Sequence, residues 1–392
     1  MPAASPPPAP SPPPAPLATS SAAPPPPVNV DDAAVDRLAM LDRALDGPLQ
    51  DAAPEAKEEL RRLARYDPPT AAVDFPKRKL AAVLVLLHLN PLGQLSVTLT
   101  TRSQRLRSHP GETALPGGRW EEGDGDGGSW TALREANEEI GLPLPPRPSP
   151  SSAAPASDPS HLVYLTTLPA FTSRTLLVVL PVVYLLVKPA SEASQAYLPS
   201  VLKPNPDEVD AVFHLPLRAF LKLPPDEAPS STIATNSSGG DAPSPSKRPR
   251  TRSSSSASSR RPEPGTETLT HSFRDFTWLL SRPYRMHSFS HPFPGVTPSA
   301  VTGLTADICI EVAMLATYGP GVVNAAGNKV EADEGGVEGG TERRIGFERY
   351  APGQMRWGAI VEEALRTHGQ QGLGGEVRAT PPAVDDERTA ER

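Results

Sequence analysis

The sequence predicts an α+β domain, in which a mixed β-sheet is layered between α-helices, and three observations support this prediction. Short apolar or alternating runs, typical of strands, are interspersed with segments whose apolar residues recur at helical spacing. Their order along the chain is strands, helix, strands, helix, which differs from the regular repeat of a doubly wound βαβ fold. The remaining stretches are rich in proline, serine or glycine, so the chain can build one sizeable core rather than several.

The first half of the predicted domain consists of two helices followed by a hairpin. Residues 31–47 and 54–67 are amphipathic, and the second segment begins with a proline, which suits a first helical turn. Residues 79–89 form a short apolar run typical of a buried strand. Residues 95–103 alternate in polarity, and the stretch between the two runs has the composition of a turn. The two strands are therefore predicted to pair.

The second half combines a helix, strands and a further helix. Residues 131–140 have helical periodicity, and Gly141 ends that helix. Residues 161–169 and 175–187 are apolar enough for strands, but Pro181 is expected to split the second run into two segments. The remaining predictions are a strand and a short helix over 207–223, the helix beginning near Pro216, a strand pair within 278–293 and a helix over 303–319.

Low-complexity segments account for much of the chain. Proline alone contributes 51 of the 392 residues, more than twice its typical share of about 5%. Segments of this composition do not bury a core, so we expect them to remain extended or disordered. The predicted organisation is a disordered tail at 1–30, one domain at 31–320 with insertions at 143–160 and 224–268, and a mostly flexible region at 321–392 with one helix near 353–367.

Composition argues against several classes of protein. The net charge of −7 argues against a general nucleic-acid-binding protein. The single cysteine, Cys309, excludes an internal disulfide framework, and its apolar surroundings indicate a buried side chain rather than a nucleophile. No uninterrupted apolar run approaches the roughly 18 residues of a membrane span. Neither the proline-rich N-terminus nor the C-terminal tripeptide resembles a targeting signal.

An acidic cluster on the predicted helix 131–140 is the first candidate site. At about 100° per residue, Glu135, Glu138 and Glu139 share one arc of the helix, while its apolar residues occupy another. Two interpretations fit this cluster: a solvated helix face, or a site for a hard divalent cation bound by carboxylate oxygens. Arg134 adjoins the cluster and can hold one carboxylate through a bidentate contact.

A glycine turn precedes this helix. Gly117 and Gly118 allow the backbone to approach a ligand closely, and the loop that follows, as far as Ser129, is rich in glycine. A loop of this kind beside metal-binding carboxylates can hold a diphosphate, because bound metal offsets the phosphate charge. The glycine turn is thus compatible with the metal interpretation, and it does not exclude the solvated face.

The run from Arg134 to Leu142 resembles the core of the Nudix box, R-E-U-x-E-E-x-G-U, in which U is apolar. The full Nudix pattern also has a glutamate eight residues before the arginine, and Asp126 occupies that position here. The segment from Thr98 to Gly118 is similar to the signature that precedes the box in the coenzyme A diphosphatase subgroup. The matching residues in that segment are Thr100, Arg102, Ser103, Arg107, Gly111, Pro116, Gly117 and Gly118.

The resemblance implies a layered α/β/α Nudix fold and a metal-dependent active site. It implies that Mg²⁺ or Mn²⁺ is bound by Glu135, Glu138 and Glu139. Catalysis would then use Glu135 or Glu138 as the base and Arg134 to orient a glutamate. Gly117–Gly118 would line the loop that binds substrate.

Further charged residues near the motif have two interpretations each. Arg102 and Arg107, with Arg105 and His109 beside them, form either an exposed basic strand end or, as the resemblance implies, cations that bind the phosphates of coenzyme A. Glu208 lies in a segment that is also similar to the subgroup. It is either a further carboxylate near the metal or a solvated acid of a loop.

The function that the resemblance implies is hydrolysis of a small-molecule substrate. Coenzyme A or acyl-CoA would be split at its diphosphate into 3′,5′-ADP and (acyl-)4′-phosphopantetheine. The alternatives are a hydrolase of ADP-ribose or a dinucleoside polyphosphate, a non-catalytic Nudix-fold binding module, and a protein whose disordered segments carry the function. Residues 247–252, which are similar to a nuclear import patch, belong to the last alternative. The subgroup implies a peroxisomal or mitochondrial location, with the cytoplasm as the alternative.

Overall fold

The computed structural model describes residues 30–68, 76–125, 128–145, 161–187, 202–222, 269–278, 281–291, 299–320 and 345–369. Most of the expected tail at 1–30, the insertion at 224–268 with its basic run, most of the insertion at 143–160, and Asp126 lie outside the described residues.

The α-helices are α1 (Val30–Asp46), α2 (Pro54–Arg65), α3 (Ser129–Ile140), α4 (Gly303–Tyr318) and α5 (Trp357–Gly369). The strands are β1 (Leu80–Leu89), β2 (Leu95–Arg102), β3 (Thr113–Ala114), β4 (Gly117–Arg119), β5 (Leu162–Thr167), β6 (Phe171–Thr172), β7 (Val178–Leu186), β8 (Val209–Pro216), β9 (Thr270–Thr277), β10 (Pro283–Ser290) and β11 (Val301–Thr302). Short 3₁₀ helices cover Lys77–Lys79 and Leu217–Leu221.

One mixed sheet, formed by β1 to β8, is built around β1. β1 pairs in parallel with β7 over most of its length and antiparallel with β2 near its C-terminal end. The segment with β3 and β4 lies between β1 and β2, because β3 pairs with β2 and β4 pairs with β1. β8 continues the sheet beyond β2, and β9, β10 and β11 form a separate antiparallel sheet.

Both faces of β1 are covered by helices. Ala82, Leu84 and Leu86 pack against α3 on one face of the sheet. Val85 and Leu87, on the other face, belong to the larger core that α1, α2 and α4 complete. Because successive side chains of a strand point to opposite faces, this alternation confirms the predicted α/β/α layering.

The expected break at Pro181 is wrong, because β7 runs without interruption from Val178 to Leu186. The Pro181 carbonyl accepts a hydrogen bond from the backbone N–H of Leu168. The N–H and C=O of a strand residue point to the same side, so the missing donor of Pro181 faces the place where pairing passes from β5 to β6. The proline therefore removes no ladder hydrogen bond at a position where one is needed.

The strand pair expected within 278–293 is displaced in the structure. β9 covers Thr270–Thr277 and pairs with β10, and the backbone N–H of Trp278 donates to Arg282 O in the turn. Most residues of β9 are exposed, so its sequence lacks the apolar alternation from which strands are recognised.

The C-terminal region contributes α5, which overlaps the helix expected near 353–367. Its Trp357 and Ile360 are buried in the main core. Within the described ranges, no helix combines the length and apolar character needed to cross a membrane.

Candidate active site

A cleft of about 320 Å³ opens where the end of β2, the β3–β4 segment, α3 and the loop before β8 meet. It is lined by Arg102, Leu106, Gly117, Gly118, Arg119, Glu135, Glu139 and Glu208. The cleft therefore combines three acidic and two basic residues with the glycine turn.

The position of α3 is fixed by its apolar face and by its C-terminal end. The apolar residues of α3 are buried against β1. Gly141 ends the helix in the left-handed region, at φ 65°. The backbone N–H groups of Lys203 and Asn205 donate to the carbonyls of Ile140 and Glu139, at 2.7 and 2.9 Å. This docking brings the loop that carries Glu208 to the end of α3.

Gly117 and Gly118 are needed for two different close approaches. A Cβ at Gly117 would lie 2.4 Å from the backbone oxygen of Ala82 and 2.6 Å from Cα of Val83. A Cβ at Gly118 would lie 2.4 Å from Oε1 of Glu135. Gly117 therefore fits the turn against β1, whereas Gly118 leaves space for a carboxylate of the cleft.

Glu139 is the most buried carboxylate of the cleft, with 8% of its surface exposed. The backbone N–H of Gly117 donates to its Oε2 at 3.3 Å, and Arg102 Nη1 lies 4.0 Å from its Oε1. Burial raises the pKa of Glu139 to about 8, although Arg102 and the Gly117 N–H both act to lower it. Burial also raises the pKa of Glu135. Two partly desolvated carboxylates in one cleft favour binding of a cation.

Arg134 joins the acidic cluster to the preceding loop. Its Nε and Nη2 donate to the two oxygens of Asp124, both at 3.1 Å, and Nη2 also donates to the carbonyl of Arg119 at 2.9 Å. Its Nη1 lies 3.0 Å from Glu135 Oε1 and 3.2 Å from Glu138 Oε2. Burial by itself raises the pKa of Asp124, but hydrogen bonds from Arg134, the backbone N–H of Glu121 and Thr131, together with the charge of Arg134, outweigh it, so the pKa is lowered. The bidentate partner of Arg134 is thus Asp124 rather than a glutamate of α3.

The structure separates the residues that sequence reasoning had grouped together. Glu135 and Glu139 line the cleft, whereas the Glu138 side chain is 51% exposed and does not. Arg102 lines the cleft, whereas Arg107 is exposed and does not.

Some residues of the site were not predicted from the sequence, and for one the sequence left the role open. Asp124 lies two residues before the aspartate that the spacing rule selects. Its backbone N–H donates to the Glu121 carbonyl at 3.1 Å, and this short turn is the local signal that could have found it. No sequence signal points to Leu106 or Arg119. The sequence left two interpretations of Glu208, a carboxylate near the metal or a solvated acid of a loop. In the structure Glu208 lines the cleft.

The cleft contains the type of ligand atom that divalent metals prefer. Glu135, Glu139 and Glu208 offer carboxylate oxygens, which hard cations such as Mg²⁺ and Mn²⁺ prefer. Among the residues that the structure describes, no three His, Cys, Asp or Glu side chains converge closely enough to hold a metal as they stand. Arginine contacts account for part of this, because Arg134 lies against Glu135 and Arg102 against Glu139. Metal binding therefore requires a rearrangement of side chains.

Comparison with known proteins gives matches over the part of the chain that contains this cleft. Residues 78–234 match the family profile described as NUDIX domain. "Nudix hydrolase 15, mitochondrial" of Arabidopsis thaliana is 44% identical over 146 residues, 37% of this chain and 43% of that protein.

Two further relatives carry a more specific name. "Peroxisomal coenzyme A diphosphatase ndx-8" of Caenorhabditis elegans is 34% identical over 142 residues, 36% of this chain and 50% of that protein. "Peroxisomal coenzyme A diphosphatase NUDT7" of Mus musculus is 32% identical over 160 residues, 41% of this chain and 56% of that protein. The matches thus span about half the length of these relatives.

Proposed function

We propose that this chain, whose residues 78–234 match the NUDIX domain profile, is a metal-dependent diphosphatase that acts on coenzyme A and acyl-CoA. The products would be 3′,5′-ADP and (acyl-)4′-phosphopantetheine. The names of the worm and mouse relatives support the choice of substrate. These names agree with the resemblance of the segment from Thr98 to Gly118, which precedes α3, to the signature of the coenzyme A diphosphatase subgroup.

One observation carries the proposal: acids, arginines and a glycine turn surround the same cleft. The acids come from α3 and from the loop before β8, and Arg102 comes from the end of β2. A diphosphate needs positive charge around its oxygens and a backbone that permits close approach. A solvated helix face would not require Gly118, where any side chain would collide with Glu135.

The residues of the cleft have distinct roles in this proposal. Glu135 and Glu139 would hold the divalent metal, with Glu208 beside them. The bound metal would polarise the diphosphate and lower the pKa of the attacking water. Glu138, which the motif also assigns to the metal, is held by Arg134 on the exposed side and would have to change rotamer to contribute. Glu135 or Glu138 would accept the proton of the attacking water.

The other groups of the cleft position these carboxylates and the substrate. Arg134 is held by Asp124 and fixes the carboxylate of Glu135. Gly117 directs its backbone N–H at Glu139. Arg102 offers a guanidinium for the phosphate oxygens, and Arg107 would need to move inward to do the same.

Product analysis of the purified chain tests this proposal directly. Coenzyme A or acetyl-CoA would be incubated with Mg²⁺ or Mn²⁺ and the products separated by chromatography. We expect 3′,5′-ADP from the wild type and at least ~100-fold less from Glu135→Gln, since loss of about 3 kcal/mol of transition-state stabilisation has this effect. Glu55→Gln, which changes an exposed glutamate of α2, is the matched control and should retain activity.

Other outcomes of the same assay point to the alternatives. Cleavage of ADP-ribose or a dinucleoside polyphosphate, but not of coenzyme A, would keep the metal site and reject the substrate. A folded protein that cleaves no diphosphate with metal present would be a binding module instead.

The cellular compartment is a separate proposal. The three relatives described above are named peroxisomal or mitochondrial, and we propose the peroxisome for this chain. A fluorescent fusion of the full chain that co-localises with mitochondria or remains cytoplasmic would reject it.

A further inference from the structure

Arg102 has a fixed backbone at the edge of the cleft. Its N–H donates to the carbonyl of Glu112, and its carbonyl accepts from the N–H of Gly111, both at 2.9 Å. The register between β2 and β8 shifts between Thr101 and Arg102. Such bulges redirect a side chain beside a site, so the Arg102 side chain enters the cleft from a rigid base.

The guanidinium of Arg102, in contrast, is held weakly. Its Nη1 lies 4.0 Å from Glu139 Oε1, at the limit of an ion pair. Its Nε is buried and has no hydrogen-bond partner among the described residues. Arg134, by comparison, makes two hydrogen bonds of 3.1 Å to Asp124. The Arg102 guanidinium can therefore accept a second anionic partner, whereas the Arg134 guanidinium is already bound to Asp124.

We propose that Arg102 is an exchangeable counter-ion, which pairs with the ionised Glu139 while the cleft lacks metal and turns to the diphosphate of the substrate once a cation binds Glu139. The inference rests on the proposed function and adds a coupling between metal and substrate binding. A buried carboxylate needs a positive partner, and a metal at Glu139 supplies one. The metal also repels the guanidinium, so the two cations do not share one carboxylate without cost.

Arg105, a neighbouring arginine, does not fit this role because it does not line the cleft. Arg105 pairs with Asp207 at 2.9 Å, and both side chains are highly exposed, so this ion pair contributes little energy. Arg105 nevertheless lies only three residues after Arg102, in the loop that follows β2. It therefore offers a matched control of equal charge.

A double-mutant cycle without metal tests the exchange. Binding of ADP, the probe for a diphosphate, would be measured by calorimetry on the full chain in EDTA at pH 9, so that Glu139 is ionised. Glu139→Gln should release Arg102 and tighten ADP binding by about tenfold, whereas the same change in an Arg102→Met background should give about twofold. In an Arg105→Met background the Glu139→Gln gain should stay near tenfold.

The outcomes separate this inference from the proposed function. An equal gain in the Arg102→Met background would overturn the exchange. If Glu139→Gln does not fold, Glu139→Met, which keeps the volume, replaces it in the same cycle. Binding of Mn²⁺ alone to the wild type, followed by electron paramagnetic resonance, tests the metal site itself. Absence of Mn²⁺ binding would refute the proposed function, whereas Mn²⁺ binding with an additive cycle would refute only the exchange.

Discussion

Substituting alanine for each of the two adjacent glycines, Gly117 and Gly118, should separate the stability of the fold from the chemistry of the cleft. At Gly118, the added Cβ would lie 2.4 Å from Glu135 Oε1, and ordinary contact begins at 3.4 Å. The carboxylate must therefore retreat by about 1 Å. Because it is the end of a flexible side chain, it can do so at little cost to stability. A displacement of about 1 Å in a reacting or metal-binding group costs roughly 100-fold in activity.

At Gly117, the same methyl group meets backbone that cannot move independently. The Cβ would lie 2.4 Å from the oxygen of Ala82 and 2.6 Å from Cα of Val83, both in the central strand β1. Overpacking of this kind costs about 3 kcal/mol. In a domain of this size, that loss lowers the melting temperature by about 6–12 °C.

Urea unfolding and product formation from coenzyme A, measured on both variants, provide the comparison. We expect Gly118→Ala to keep the wild-type unfolding free energy within about 1 kcal/mol and to lose activity. Gly117→Ala should lose stability. Gly358→Ala is a suitable control, because a Cβ at Gly358 in α5 meets no atom within 4 Å. Full activity in Gly118→Ala would refute the reasoning, as would equal destabilisation by the two substitutions.

Three further predictions concern buried ionisable groups. Asp124→Asn should lower the unfolding free energy in urea by about 2 kcal/mol, because Arg134 loses the charge of its bidentate partner and keeps only Glu135 and Glu138; an unchanged midpoint would contradict this. Burial lowers the pKa of His88 to about 3, so the unfolded chain binds a proton that the folded protein does not, and stability falls as the pH drops below about 6.5. Between pH 7.5 and 5, the unfolding free energy of the wild type should therefore fall by about 2 kcal/mol more than that of His88→Leu. Burial raises the pKa of Asp307 to about 7, and Tyr284 Oη donates to it at 2.6 Å. This raised pKa means that stability declines as the pH rises from about 4 to 7, and Tyr284→Phe should extend the decline beyond pH 7; parallel urea-unfolding profiles for Tyr284→Phe and the wild type between pH 6 and 8.5 would show that the hydrogen bond does not set this pKa.

The elements that the sequence predicted well depend on local information. The hairpin of β1 and β2 follows from two apolar runs and a turn between them, and α3 follows from helical periodicity ended by Gly141. β7 was misjudged, because the consequence of Pro181 depends on which neighbouring strand faces its nitrogen. β9 was missed, because an exposed edge strand has no apolar pattern.

The amino-acid sequence by itself determined that carboxylates gather on one arc of a helix and that a glycine pair precedes it, because both are short-range patterns. Tertiary structure alone decided that Glu135 and Glu139 face the cleft while Glu138 does not. That choice depends on how α3 rolls against β1, which the apolar packing sets. The sequence identified Arg102 as a candidate and left Glu208 open, and the fold places both beside Glu139. Contacts between residues far apart in the chain arise from sheet order and loop docking, and no local pattern encodes them.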